Sequence, residues 1–421
     1  MTQLAEHPEA PPVERSWSDR LRNRWARLGL LFGFGVVVLS VVRVFSGATD
    51  LTSSGTVGAA LGLAVPIAMA GLGGLWSERA GVVNIGLEGM MIFGTFGAGW
   101  LGWQYGPWAG VAAGIALGAL GGLIHAIATV TFGVDHIVSG VAINILGLGA
   151  TQYLASIAFT GTPNGGATQS PPIKAIDTVS VPFVGDPLQS LERRHWFLLS
   201  DLAGILRGLL TNVSLLTLVA VALVVGTYFV LWWTPFGLRL RSCGEDPFAA
   251  ESLGVRVYLH KYIAVVVSGG LAGLGGAFLA IVAASIYREG QTAGRGYIGL
   301  AAMIFGNWRP TGLVAGAGLF GYTDALQLRN ADAVHALLLL LAVLLLVYAL
   351  VSGLRRRFVV AAVALVCGVA SLVVYLVTDS VPAQVTFITP YATTLLVLAL
   401  ASQRLRMSKA DGLIYRRGQD H

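Results

Sequence analysis

The chain has 421 residues, 55% of them hydrophobic and only 11% charged, with a mean hydropathy of +0.73. Soluble domains carry about 25% charged residues, so the composition excludes an ordinary soluble enzyme and predicts an all-α polytopic membrane protein. The net charge of +6 sits in basic segments that flank apolar runs, with no aromatic-studded basic stripe to grip a nucleic acid polymer.

Residues 1–14 contain Pro and Glu and predict disorder, and no cleavable signal peptide is expected because the apolar run begins only after Arg27. Trp17, Leu21, Trp25 and Leu28 then recur at helical spacing, with Arg20, Arg22, Arg24 and Arg27 between them. This pattern suits a helix in the headgroup layer or, equally, a basic flank of the first span. Residues 1–27 are read as a cytoplasmic N-terminal segment.

Apolar runs of spanning length follow at 28–45, 55–76, 84–103, 107–130, 136–159, 211–233, 261–284, 311–329, 334–353, 358–378 and 387–403. A shorter run between Gly296 and Asn307 would cover roughly 18 Å as a helix, against a hydrocarbon core of about 30 Å. It reads as a broken half-helix. The expectation is a transmembrane domain over 28–403 with about 10–12 transmembrane helices, the broken one included. Arg79, Arg239, Arg241, Arg256, Lys261, Arg309, Arg355, Arg356 and Arg357 all fall on the side of the two basic tails. Cationic loops stay inside, so the N- and C-termini, with the basic tail 404–421, are expected to be cytoplasmic.

Within this frame the stretch Ser77–Gly94 is the most polar at membrane depth. Asn84 and Glu88 stand at i and i+4, which predicts one shared helix face. Polar groups at that depth face a watery path or bond to neighbouring helices. Glu88, His125, His136 and Asp324 are the ionisable groups read at membrane depth, with His125 and Asp324 as interhelical hydrogen-bond partners rather than proton relays. The long outer loop, 160–201, carries Pro163, Pro171, Pro172, Pro182 and Pro187 and reads as a docking surface or a passive cap. In the inner loop, 234–261, Asp246 can cap a helix beginning at Pro247 and running through Ala249, Ala250 and Glu251 to a stop at Gly254. Such a helix could receive force from a soluble partner.

Cys243 and Cys367 fall in different settings and predict no disulfide, and no metal-ligand spacing occurs. There is no phosphate-binding loop and no Ser/His/Asp set, so the chain is expected to move a solute rather than transform one, without a cofactor of its own.

Ala70-Gly-Leu-Gly-Gly74 recurs as Ala272-Gly-Leu-Gly-Gly276, and Ile85–Gly94 is echoed, one residue shorter, by Ile298–Gly306. The two echoes keep their order. They predict two related halves with a solute path where the repeats meet, and with Glu88 replaced by Ala301 in the second half.

Three stretches carry a family resemblance: S-E-R-A-G-V-V-N-I-G-L-E-G-M-M at 77–91, V-S-G-V-A-I-N-I-L-G-L-G-A-T at 138–151 and G-E-D-P-F-A-A-E-S-L-G-V at 244–255. A weaker match lies in P-Y-A-T-T-L-L-V-L at 390–398 and G-L-I-Y-R-R-G at 412–418. Together they resemble inner-membrane permeases of ABC importers of the ribose and branched-chain amino-acid type, nearest the nucleoside and simple-sugar subgroup. Residues 331–379 depart from that pattern and read as an added hairpin around Arg355–Arg357. The resemblance implies a bacterial cell-membrane protein that pairs with a second, homologous permease, a cytoplasmic ATP-binding subunit and an extracytoplasmic substrate-binding protein or lipoprotein. Asn84, Glu88 and Asn144 would line the path for a nucleoside, purine-type foremost, or a related sugar. Arg241, Glu245, Asp246, Pro247, Ala250 and Gly254 would form the loop that couples to the ATPase. A second reading is a proton-coupled secondary transporter working through Glu88, His125 and Asp324.

Overall fold

The structure is a computed structural model that describes residues 17–329, 331–378, 381–382, 388, 393 and 405–417. Segment 1–16 and all but two positions of the span expected at 387–403 lie outside the described residues. Almost everything described is helical. Helix α1 (Trp17–Ser46) is 30 residues long without a break, about 45 Å at the helical rise, so the basic stretch and the first span form one rod. Helix α2 (Ser54–Arg79) opens on Ser53, whose hydroxyl accepts from the Thr56 N–H, and carries Pro66 inside it. Proline offers no N–H to the carbonyl four residues back, so α2 has one interrupted rung there.

Helix α3 (Leu87–Tyr105) follows a non-helical stretch, then α4 (Pro107–Ala126) and α5 (His136–Phe159). Two short strands, β1 (Thr178–Val179) and β2 (Val213–Ser214), pair antiparallel and bracket α6 (Gly185–Glu192) and α7 (Leu199–Leu210). Next come α8 (Leu215–Trp233), α9 (Pro235–Glu245), α10 (Pro247–Ser252) and α11 (Val257–Phe278). The half-helix α12 (Arg295–Phe305), α13 (Pro310–Arg329), α14 (Ala331–Leu354) and α15 (Phe358–Val377) complete the set.

Among the described residues seven helices are long and apolar enough to cross a membrane by length and composition. With α1, α3, α13 and the half-helix α12 packed among them, this is an all-α polytopic membrane protein. The hairpin expected around Arg355–Arg357 is α14 and α15.

The centre is built where backbones cross at glycine. A Cβ on Gly73 would stand 2.5 Å from the Ser268 carbonyl oxygen, and one on Gly276 would stand 2.1 Å from that of Met91. The repeated Ala-Gly-Leu-Gly-Gly segments are these crossings. Apolar neighbours give membrane helices no hydrophobic drive to associate, so close backbone approach through small residues supplies the packing. Gly73 faces Ser268 while Gly275 faces Pro66, so α2 and α11 run antiparallel. The two halves are therefore inverted: α2 leads into a break and α3, and α11 leads into a break and α12.

The loop at 160–201 is folded and fastened to the helices beside it. Glu192 accepts from the Ser54 N–H at 2.8 Å and from Arg207 at 3.0 Å, which fastens α6 and α7 to the start of α2. Arg43 and Asp201, both buried, form an ion pair at 2.8 Å between α1 and α7.

Candidate functional site

The chain turns at Gly81, where φ is +79°, and runs without helix or strand through Val82–Asn84 before α3 begins. Asn84 is therefore not helical, and the expected shared face with Glu88 is corrected. The Asn84 Oδ1 accepts from the Gly86 N–H at 3.0 Å, a local turn that competes with the helical ladder. Its Nδ2 donates to the Ser268 hydroxyl on α11 at 2.9 Å, and the side chain is fully buried.

Glu88 sits in the first turn of α3, and its two oxygens accept from the Gly294 N–H at 2.9 Å and the Gly296 N–H at 2.7 Å. The N-terminal ends of α3 and α12 thus meet at one carboxylate. Each end carries partial positive charge and unpaired N–H groups, and the carboxylate compensates both. Gly296 has to be glycine here, because a Cβ would lie 2.6 Å from the Glu88 Cα.

Asn144 joins the same knot from α5. Its Oδ1 accepts from the Gly89 N–H at 2.7 Å, and its Nδ2 donates to the Ile85 carbonyl at 3.0 Å and the Tyr297 hydroxyl at 2.9 Å. The structure brings Asn84, Glu88 and Asn144 together at the break. Asn84 and Glu88 are enclosed, whereas Asn144 is half-buried and Tyr297 is 46% exposed on the open flank. Tyr297 carries no local sequence signal and is missed by spacing arguments.

His125 on α4 bonds the Ser139 hydroxyl at 2.8 Å and the Val83 carbonyl at 3.0 Å, and the His136 Nδ1 accepts from the Val83 N–H at 3.2 Å. His125 is thus the interhelical partner expected, and His136 also bonds the break. Asp324 pairs with Arg295 at 2.6 Å, a partly buried ion pair between α12 and α13 that sequence reasoning did not find. Glu78 was also missed; it accepts from the Trp308 indole N–H at 2.5 Å.

At the basic end the expected short helix is present. Asp246 caps α10 by accepting from the Ala249 N–H at 2.9 Å, Pro247 is its first residue, and Gly254 leaves it with φ +82°. Pro247 and Ala250 are buried beneath it, and Leu253 projects with 84% exposure. Arg241 donates to the Leu231 carbonyl at 2.9 Å and lies over Trp232, so it fixes α9 to α8. Burial pushes the Cys243 thiol up to about 11, an inert structural group.

Residues 56–350 match the family described as the permease component of the branched-chain amino acid transport system. The chain belongs to that family. This permease is 38% identical over 277 residues to the guanosine ABC transporter permease protein NupQ of Bacillus subtilis, covering 64% of this chain and 81% of that protein. It is 31% identical over 360 residues to the nucleoside ABC transporter permease protein NupC of Lactococcus lactis, covering 83% and 93% of the two chains. It is 35% identical over 279 residues to the putative glucose ABC transporter permease protein TsgC13 of Haloferax volcanii, covering 66% and 78%. No solved structure matches the permease. It is a multi-pass cell-membrane protein and a permease component of an ABC transporter.

Proposed function

We propose that the permease is one membrane subunit of an ABC importer for nucleosides, purine nucleosides foremost. The observation that carries this is the Glu88-stapled break, which lies within residues 56–350 that match the permease family, in a chain similar to relatives named for guanosine and nucleoside transport. Broken helices that meet near the midplane of inverted repeats are where membrane transporters hold polar solutes. In this reading Asn84, Glu88 and Asn144 line the path. Asn144 and Tyr297 present its accessible edge, where an amide can bond base edges or ribose hydroxyls and a phenol ring can stack on a base. Asn84 and Glu88 hold that wall in shape from behind.

The basic face with both termini is cytoplasmic, and a separate ATP-binding subunit docks on α10. The folded loop at 160–201 receives an extracytoplasmic binding protein, and the open flank beside α5 meets a second permease and lipid. A sugar is the second reading, supported by the likeness to the glucose permease. The proton-coupled reading is weaker, because Glu88 and His125 already spend their polar atoms on neighbours and Asp324 on Arg295.

The test is uptake of labelled guanosine by cells with and without the gene, under an ionophore and with excess glucose. Gene-dependent uptake that survives both establishes an ATP-driven nucleoside importer. Uptake abolished by the ionophore at normal ATP, or displaced by glucose, overturns it in favour of the proton-coupled or sugar reading.

A further inference from the structure

Residues 405–417 lie as a strap across the basic end, irregular with a turn at 409–412, and touch both ends of a mechanical path. At one end, Tyr415 is buried between Phe248 and Tyr258, with ring centroids 5.2 Å and 5.4 Å away. Its hydroxyl bonds the Glu251 carboxylate on α10, and Arg417 pairs with the same carboxylate at 2.8 Å. At the other end, the strap lies on the break that leads to Asn84 and Glu88. The Ala410 N–H donates to the Gly244 carbonyl at 2.8 Å, and a Cβ on Gly81 would lie 3.1 Å from the Ala410 carbonyl oxygen. Asp411 shares a hydrogen bond with Glu78, and the Arg406 N–H donates to the Asn307 Oδ1 at 2.7 Å beside the end of α12.

We infer that residues 405–417 transmit movement of α10 to the α2–α3 break, with Tyr415 and Arg417 as positioning residues that act through Glu251. The inference rests on reading α10 as the helix that meets the ATPase. The physical reason is stiffness and reach. Helix α10 has under two turns and buries only Pro247 and Ala250 of its own residues, so its hold on the bundle is slight. The strap adds an aromatic cluster, a charge-assisted pair and a backbone hydrogen bond within thirteen consecutive residues, and it ends on the turn that sets the Glu88 knot. Packed contacts of this kind move as a unit, because close-packed interiors transmit displacement rather than absorb it.

The experiment uses the full complex of permease, ATPase and binding protein reconstituted in vesicles. Tyr415→Ala with Arg417→Ala is expected to co-purify the ATPase and hydrolyse ATP at wild-type levels, while uptake per ATP falls about tenfold. Tyr415→Phe keeps the ring between its neighbours and is expected to recover most of that ratio. An unchanged ratio in the double variant overturns the inference. Loss of ATPase co-purification also overturns it, by assigning the strap to docking.

A second measurement covers poor folding of the double variant. Phe248→Cys with Tyr415→Cys, in a chain with Cys243→Ser and Cys367→Ser, is treated with a short thiol cross-linker. Uptake per ATP should be low before cross-linking and rise after it; no rise overturns the inference. The parent reading is tested apart by Asp246→Arg, which removes the α10 cap away from the strap. Retained ATPase association there sinks the α10 assignment whatever the strap variants do.

Discussion

Glu88 gives both carboxylate oxygens to backbone N–H groups of the opposite half, and a hydrogen bond to a charged group contributes roughly 1.5–3 kcal/mol. Glu88→Ala leaves two N–H groups unpaired where water is scarce and sets two helix N-termini against each other. It should lower stability by about 3 kcal/mol, read as an earlier thermal unfolding in detergent, and reduce uptake at least as strongly. Glu88→Gln keeps one acceptor and should fall between. Unfolding unchanged in both variants would remove the stapling role.

Asp411 belongs to the strap, and burial pushes its carboxyl up to about 7, with the Glu78 hydrogen bond and the Lys261 and Arg79 charges pulling the other way. A free aspartate titrates near about 3.9, so the docked strap holds the proton more tightly than the released one. Its contribution to docking is therefore complete below about pH 4 and is lost as the pH rises through about 7. Protease cleavage in the strap should speed up across that window, and Asp411→Asn should flatten the profile.

Among the elements, α2 and α11 depend on glycine at their crossings. Gly276→Ala would press a methyl group against the Met91 carbonyl at 2.1 Å, a backbone atom that cannot swing aside. Overpacking of this kind costs about 1–3 kcal/mol, so folded yield and melting temperature should both drop, whereas Gly226→Ala, with open space around it, should leave them unchanged. Elements with local signals were legible in the sequence. The cap, the first-turn proline and the closing glycine of α10 are adjacent in the chain, and the shortness of α12 needs only a count. Asn84 was misread because a periodicity argument treats Asn as one more helical position, while its side chain closes a turn on Gly86. Helix α7 falls mostly between the loop at 160–201 and the run at 211–233 and carries no element in the sequence reading, although Leu199, Leu202, Ile205, Leu206 and Leu209 repeat with helical period. Tyr297 and the Arg295–Asp324 pair had no signal at all, since their partners are distant in sequence.

On the scale of the whole molecule, the proposed cytoplasmic placement of the basic end fixes one orientation. Phe183 stands 95% exposed on the folded loop, and Arg356 occupies the turn between α14 and α15 at the opposite end. In a chain with Cys243→Ser and Cys367→Ser, a membrane-impermeant thiol reagent added to intact cells should label Phe183→Cys and spare Arg356→Cys. The reverse pattern would invert the topology. The two-half plan was visible as paired glycine motifs, but their antiparallel sense was not, because a short motif reads alike whichever way its helix crosses.

Helix α2 joins these levels. Its first residue is held by Glu192 of the loop at 160–201, and the turn at its far end lies under the strap. It is thus a beam clamped at two opposite surfaces of the membrane, with Pro66 as its single missing rung. A beam of that kind bends at one place, and there the Pro66 carbonyl packs directly on Gly275 of the neighbouring half, where a Cβ would lie 2.9 Å from its oxygen. Load applied at either surface would converge on that joint, so the two faces of the membrane can be kept in step without any element sliding the full depth of the bilayer.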